Sequence, residues 1–191
     1  MQLVKKYKIL MLCTILFSAA VALLIVLQFV FPALSVGEKI SGVNFEYKQY
    51  SGFDVAIFCW PKFILGYQLI GPNPLLIAAL LVPILATLIC GLMWKNAGFT
   101  KRIVLSAIMA VSYLFFAVCF LSVKDLVMLS ALDRFRELAA AAVKKDMYRI
   151  GGYAIVACIA AVVGAALHCV AIVENVRMIR STGVEVLVSE E

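Results

Sequence analysis

Four stretches of this chain, at about 9–31, 75–94, 103–123 and 153–173, are apolar throughout and contain no Asp, Glu, Lys or Arg. No other feature of the sequence constrains the fold as strongly. Crossing a hydrocarbon layer of about 30 Å takes roughly 20 apolar residues in helical form. In lipid every backbone N–H and C=O must be bonded within the protein, which a helix achieves inside its own segment. Composition points to the same solvent: 65% of the 191 residues are hydrophobic and 15% charged, against roughly 45–50% and 25% in a globular domain. One core of this size cannot hide so much apolar surface from water. A soluble enzyme, a disordered tail and a small disulfide scaffold are thereby excluded. The expectation is an all-α membrane protein, one membrane domain over 1–191 built as a four-transmembrane-helix bundle.

The first stretch has Thr14, Ser18 and Gln28 as its polar interruptions, and the second carries Pro83, a kink that lipid-buried helices tolerate. Lys5, Lys6 and Lys8 ahead of the first stretch, with Ala33-Leu34-Ser35 behind it, resemble a secretory signal. Its apolar run exceeds the roughly 7–15 residues of a signal core, so a retained anchor is expected. Basic residues divide almost evenly between the two sides. Their density does not: the N-terminal lysines, and Lys95, Lys101 and Arg102 between the second and third stretches, are acid-free and close to membrane ends. That places both termini in the cytosol, in the plasma membrane, against the contrary pull of Lys124, Arg134, Arg136, Lys144, Lys145 and Arg149.

The outer loop, 32–74, alternates Val43, Phe45 and Tyr47 with Asn44, Glu46 and Lys48, the period-2 pattern of a half-buried strand. Ser51-Gly52 offers a turn, and Phe53, Val55 and Ile57 continue as the second strand of a small β-hairpin. A lone hairpin is marginal in water, so it must pack on something. Phe45, Tyr47, Trp60 and Tyr67 suit an interfacial aromatic belt and are the expected outer-loop contacts. Gly71-Pro72-Asn73-Pro74 closes the loop as a turn. The connector 124–149 reads as an amphipathic helix: Ser130 and Asp133 form a capping-box pattern, Leu132, Phe135, Leu138, Ala139 and Ala142 keep helical spacing, and Gly151-Gly152 ends it. Residues 174–191 read as a short cytosolic tail.

Chemistry is sparse. No Cys-x-x-Cys, Gly-rich phosphate loop, Ser/His/Asp set or metalloprotease motif is present, so neither an enzyme nor a cofactor is expected. With the N-terminus inside, Cys13, Cys90, His168 and Cys169 share one half of the bilayer and have soft-metal chemistry. They lack the short ligand spacing of metal motifs, so no metal is assigned. His168 is the single histidine; a neutral imidazole bonded across a helix contact is the simpler reading. Ala157, Ala161 and Ala165, and beside them Ala160, Gly164 and His168, form rows of small residues at four-residue spacing, a helix-packing interface. Arg134 and Arg136 are too mixed with acids for a nucleic-acid surface. The layout resembles claudin-type and other tetraspan proteins; of their loop signature, a Gly-Leu-Trp run with two cysteines, the chain has Cys59-Trp60, and no site residue is carried over. The expected partners are the lipid bilayer and either further copies of the chain or another membrane subunit. The function expected is that of a non-enzymatic oligomeric or accessory subunit. The alternative is a small transporter or pore with a pathway along Thr14, Ser18, Gln28, Ser106, Ser112, Tyr113 and His168.

Overall fold

The computed structural model describes residues 2–41, 44–57, 63–64, 67–68, 72–129 and 148–188. In chain order the elements are helix α1 (Gln2–Leu27), strands β1 (Pro32–Ser41) and β2 (Asn44–Ser51), helix α2 (Gly52–Ile57), and the two-residue strands β3 (Phe63–Ile64) and β4 (Tyr67–Gln68). Helices α3 (Pro74–Trp94), α4 (Phe99–Leu121) and α5 (Val123–Leu129), strand β5 (Tyr148–Ile150) and helix α6 (Gly152–Val188) follow. Helices α1, α3, α4 and α6 are each long and apolar enough to cross a membrane.

These helices close into a ring, with α1 against α3 and α6, and α4 against the same two neighbours. Helix α4 lies deepest: 56% of its apolar span is buried, against 28% for α1 and for α3. Its Tyr113, Phe116 and Phe120 are fully enclosed, with the last two rings stacked at 4.7 Å. Opposite these large side chains α6 buries small ones, Ala154, Ala157, Ala161 and Ala165. The outside is the reverse of a soluble protein's: Leu92, Val111, Val118 and Ile159 are each at least 60% exposed. In lipid such side chains are in their preferred solvent, and the four apolar helices suggest a membrane-embedded protein.

At one end sits an antiparallel sheet in the order β2-β1-β5. Leu34 pairs with Ile150 and Val36 with Tyr148, so the segment entering α6 joins the hairpin that leaves α1. Two glycines fasten the sheet to the bundle. The Gly52 N–H donates to Gln28 C=O and the Gly151 N–H to Ala33 C=O, both at 2.8 Å. A Cβ on Gly52 would fall 2.6 Å from the Gln28 oxygen, and one on Gly151 2.2 Å from that of Pro32. Only the absence of a side chain permits either approach.

Some expectations change. A small hairpin is present in the first connection, but it pairs β1 with β2. Phe53–Ile57, expected as its second strand, is helix α2 instead. The reason is a capping box: Ser51 Oγ accepts the Asp54 N–H at 3.2 Å while the Asp54 carboxylate accepts the Ser51 N–H and hydroxyl at 3.3 and 2.9 Å. The connector begins as helix α5, but its end, Tyr148–Ile150, is a strand: the free edge of β1 offers a pairing that overrides helical spacing. The expected helix signals Ser130, Leu132, Asp133, Phe135, Leu138, Ala139 and Ala142 lie outside the described residues. The polar stretch read as a tail continues α6 to Val188. Asn73-Pro74 does more than turn the chain. Asn73 Oδ1 caps α3 by accepting the N–H groups of Leu75 and Leu76 at 3.0 Å, and Pro74 takes the first helical position.

Candidate functional site

Polar side chains inside the bundle gather at two levels. Midway along it, α1 supplies Ser18, α3 Thr87, α4 Tyr113 and α6 His168. Thr14 and Ser18 both face inward, one helical turn apart, because side chains at i and i+4 share a face. Ser18 Oγ donates to the Thr14 carbonyl at 2.7 Å and lies 2.8 Å from His168 Nε2. A serine has one hydrogen. With that hydrogen on Thr14, Nε2–H must donate to Ser18, which fixes the neutral tautomer and leaves Nδ1 as an acceptor. That Nδ1 is buried without a partner among the described residues. Tyr113 OH donates to the Ser18 carbonyl at 3.1 Å and stands 3.1 Å from Thr87 Oγ1, which itself donates to the Pro83 carbonyl at 2.7 Å. The cluster therefore stitches four helices together with neutral groups.

Beside it, between α1 and α3, lies a cavity of about 320 Å³ bordered by Ser18, Thr87, Cys90 and His168 among mostly apolar neighbours. Of the expected pathway residues, Ser18 and His168 border it; Thr14, Gln28, Ser106, Ser112 and Tyr113 do not. Thr14 and Ser112 bond back to the carbonyls of Leu10 and Met109. Gln28 sits near the sheet, its amide donating to the Phe31 carbonyl at 3.2 Å. Ser106 is fully buried, its hydroxyl without a partner among the described residues.

The second level is at the end away from the sheet. Tyr7 OH donates to Asn175 Oδ1 at 2.8 Å and accepts from Arg102 Nη1 at 3.2 Å. Asn175 Nδ2 donates to the Ala171 carbonyl at 2.7 Å. The Arg102 guanidinium also lies 5.9 Å over the Trp94 ring. The start of α1, the α3–α4 turn and the distal part of α6 thus meet at one end. Sequence reading missed Thr87, Tyr7, Arg102 and Asn175. Thr87 had a signal, being a hydroxyl one turn after Pro83; the other three flank the apolar runs and look like solvated ends.

The candidate metal ligands do not converge. His168 and Cys90 are buried, but Cys13 and Cys169 are exposed on the outside of the bundle. Each of the exposed pair is one residue from an inward-facing neighbour, Thr14 or His168, and one residue is about 100° of helix. Among the described residues no three His, Cys, Asp or Glu side chains are grouped to hold a metal. The small-residue rows are consumed within the chain. Ala157, Ala161, Ala165, Gly164 and His168 are buried and Ala160 is half-buried. A Cβ on Gly164 would stand 3.1 Å from the Tyr113 ring. On the sheet, Tyr47 is 38% exposed and Arg149 lies 4.3 Å over its ring. Phe45 is in β2 and Tyr67 in β4, while Trp60 lies outside the described residues. Comparison with protein-family models, curated proteins and solved structures finds no match.

Proposed function

We propose that the chain is a non-enzymatic component of the plasma membrane, with both termini cytosolic and the sheet outside, acting as an accessory or oligomeric subunit. The observation that supports this reading is the Tyr47–Arg149 pair on the sheet surface. Tyrosine and arginine are the residue types that dominate interface energetics, and here both stand on strands anchored to the bundle through Gly52 and Gly151. The Ser18–His168 and Tyr113–Thr87 contacts and the small-residue face of α6 are engaged within the bundle, so a partner is met by the sheet or the apolar flanks. Crosslinking in native membranes, then native mass spectrometry of the released complex, tests this. A defined homo-oligomer or a stoichiometric second chain is expected, lost at least tenfold in Tyr47→Ala or Arg149→Ala. A single dispersed species sinks the proposal.

The cavity beside Ser18, Thr87 and His168 favours a second reading, a small transporter or pore subunit with its pathway between α1 and α3. Liposome flux at background for ions and small solutes removes it.

A further inference from the structure

From the α3–α4 turn we infer a binding site for an anionic phospholipid, with the headgroup phosphate on Lys101 and an acyl chain along α3 and α4. A cavity of about 550 Å³ opens here, and its wall changes character along its length. Asn96, Thr100 and Lys101 line the end at the turn, and Leu92, Met93 and Val104 line the remainder. Those three apolar side chains are 82%, 53% and 55% exposed on a surface that faces lipid. A wall that is cationic and hydrogen-bonding at one end and apolar at the other fits an amphiphile with an acidic head, not a soluble anion.

Charge decides the sign of that head. Lys95, Lys101 and Arg102 surround the turn, and among the described residues none has a carboxylate partner. The Arg102 guanidinium is committed to the neutral Tyr7 hydroxyl and the Trp94 ring. Across the same end of the bundle stand Lys6, Lys8, Arg177 and Arg180, with Glu174 as the acid among the described side chains there, and Glu174 is already held by Arg177 at 2.9 Å. Lysines that have no carboxylate partner among the described residues are satisfied at headgroup depth by anionic lipid, and a lysine serves such a phosphate as a mobile point charge. The inference needs the chain to cross a bilayer but is independent of what the sheet contacts.

The test is native mass spectrometry of the purified full chain titrated with phosphatidylglycerol or phosphatidylcholine. Wild type is expected to retain phosphatidylglycerol at least fivefold better. Lys101→Ala should lower that retention about fivefold, the effect of one lysine near an anionic surface, and leave phosphatidylcholine unchanged. Lys101→Arg should keep it. Lys124→Ala, in α5 at the sheet end, is the control and should change nothing. Equal retention of the two lipids by wild type overturns the inference, as does equal loss in Lys101→Ala and Lys124→Ala, which is bulk surface charge. So does displacement of the lipid by glycerol phosphate at equal concentration, since the acyl chain would then contribute nothing.

Discussion

Gly164 is a point of close approach between three helices. Its missing side chain lets Tyr113 of α4 and Val21 of α1 close on α6, and a Cβ there would meet the Tyr113 ring at 3.1–3.2 Å and Val21 Cγ2 at 3.4 Å. Overpacked interiors lose about 1–3 kcal/mol, so Gly164→Val should lower the thermal midpoint in detergent, while Gly91→Ala, whose Cβ would meet nothing within 4 Å, should not. A Gly164→Val protein as stable as wild type would mean that α6 does not approach α4 and α1 this closely. The Ser18–His168 bond is the other residue-scale claim. Hydrogen bonds between transmembrane helices couple by about 0.6 kcal/mol on average and reach about 1.7. A double-mutant cycle with Ser18→Ala and His168→Leu should give a coupling in that range, and additive effects would deny the contact.

At the scale of elements, stability is concentrated where the sheet and short helices meet the bundle. Asn73 caps α3 through Oδ1, donates from Nδ2 to the Leu126 carbonyl of α5 at 2.7 Å, and gives its backbone N–H to the Ala56 carbonyl of α2 at 2.8 Å. Replacing a cap costs about 0.5–2 kcal/mol. Asn73→Ala should sit at the upper end, with faster hydrogen exchange in α2 and α5 as well as at the start of α3. Exchange confined to α3 would show that the tie to α5 is idle. Gly151→Ala forces backbone apart and should free β5 from β1, read as protease sensitivity between α5 and α6 with the spans intact. These elements also mark how far the sequence could be read. The spans were legible because lipid demands one long apolar helix per crossing, and no tertiary contact alters that demand. Alternation alone reads Phe53–Ile57 as a strand, whereas the Ser51/Asp54 capping pair beside it starts a helix. The β5 strand had no local sign: its partner, β1, lies more than a hundred residues away.

On the scale of the whole molecule, α1, α3, α4 and α6 form a ring with apolar side chains turned outward, a sheet at one end and a basic rim at the other. Of the candidate site, His168 and the small-residue row of α6 stood out in the sequence because polarity and size are visible there. The convergence of Ser18, Thr87, Tyr113 and His168 did not, because it depends on how four helices are rotated about their axes, which apolar runs leave open. The central claim is that the α3–α4 turn and the sheet lie on opposite sides of a bilayer. Single cysteines at Asn96 and Gln49, both exposed, placed in a background with all six native cysteines changed to alanine, test it in sealed vesicles of known orientation. A membrane-impermeant thiol reagent should reach Asn96→Cys from one face and Gln49→Cys only from the other. Labelling of both from the same face would contradict the four-span arrangement.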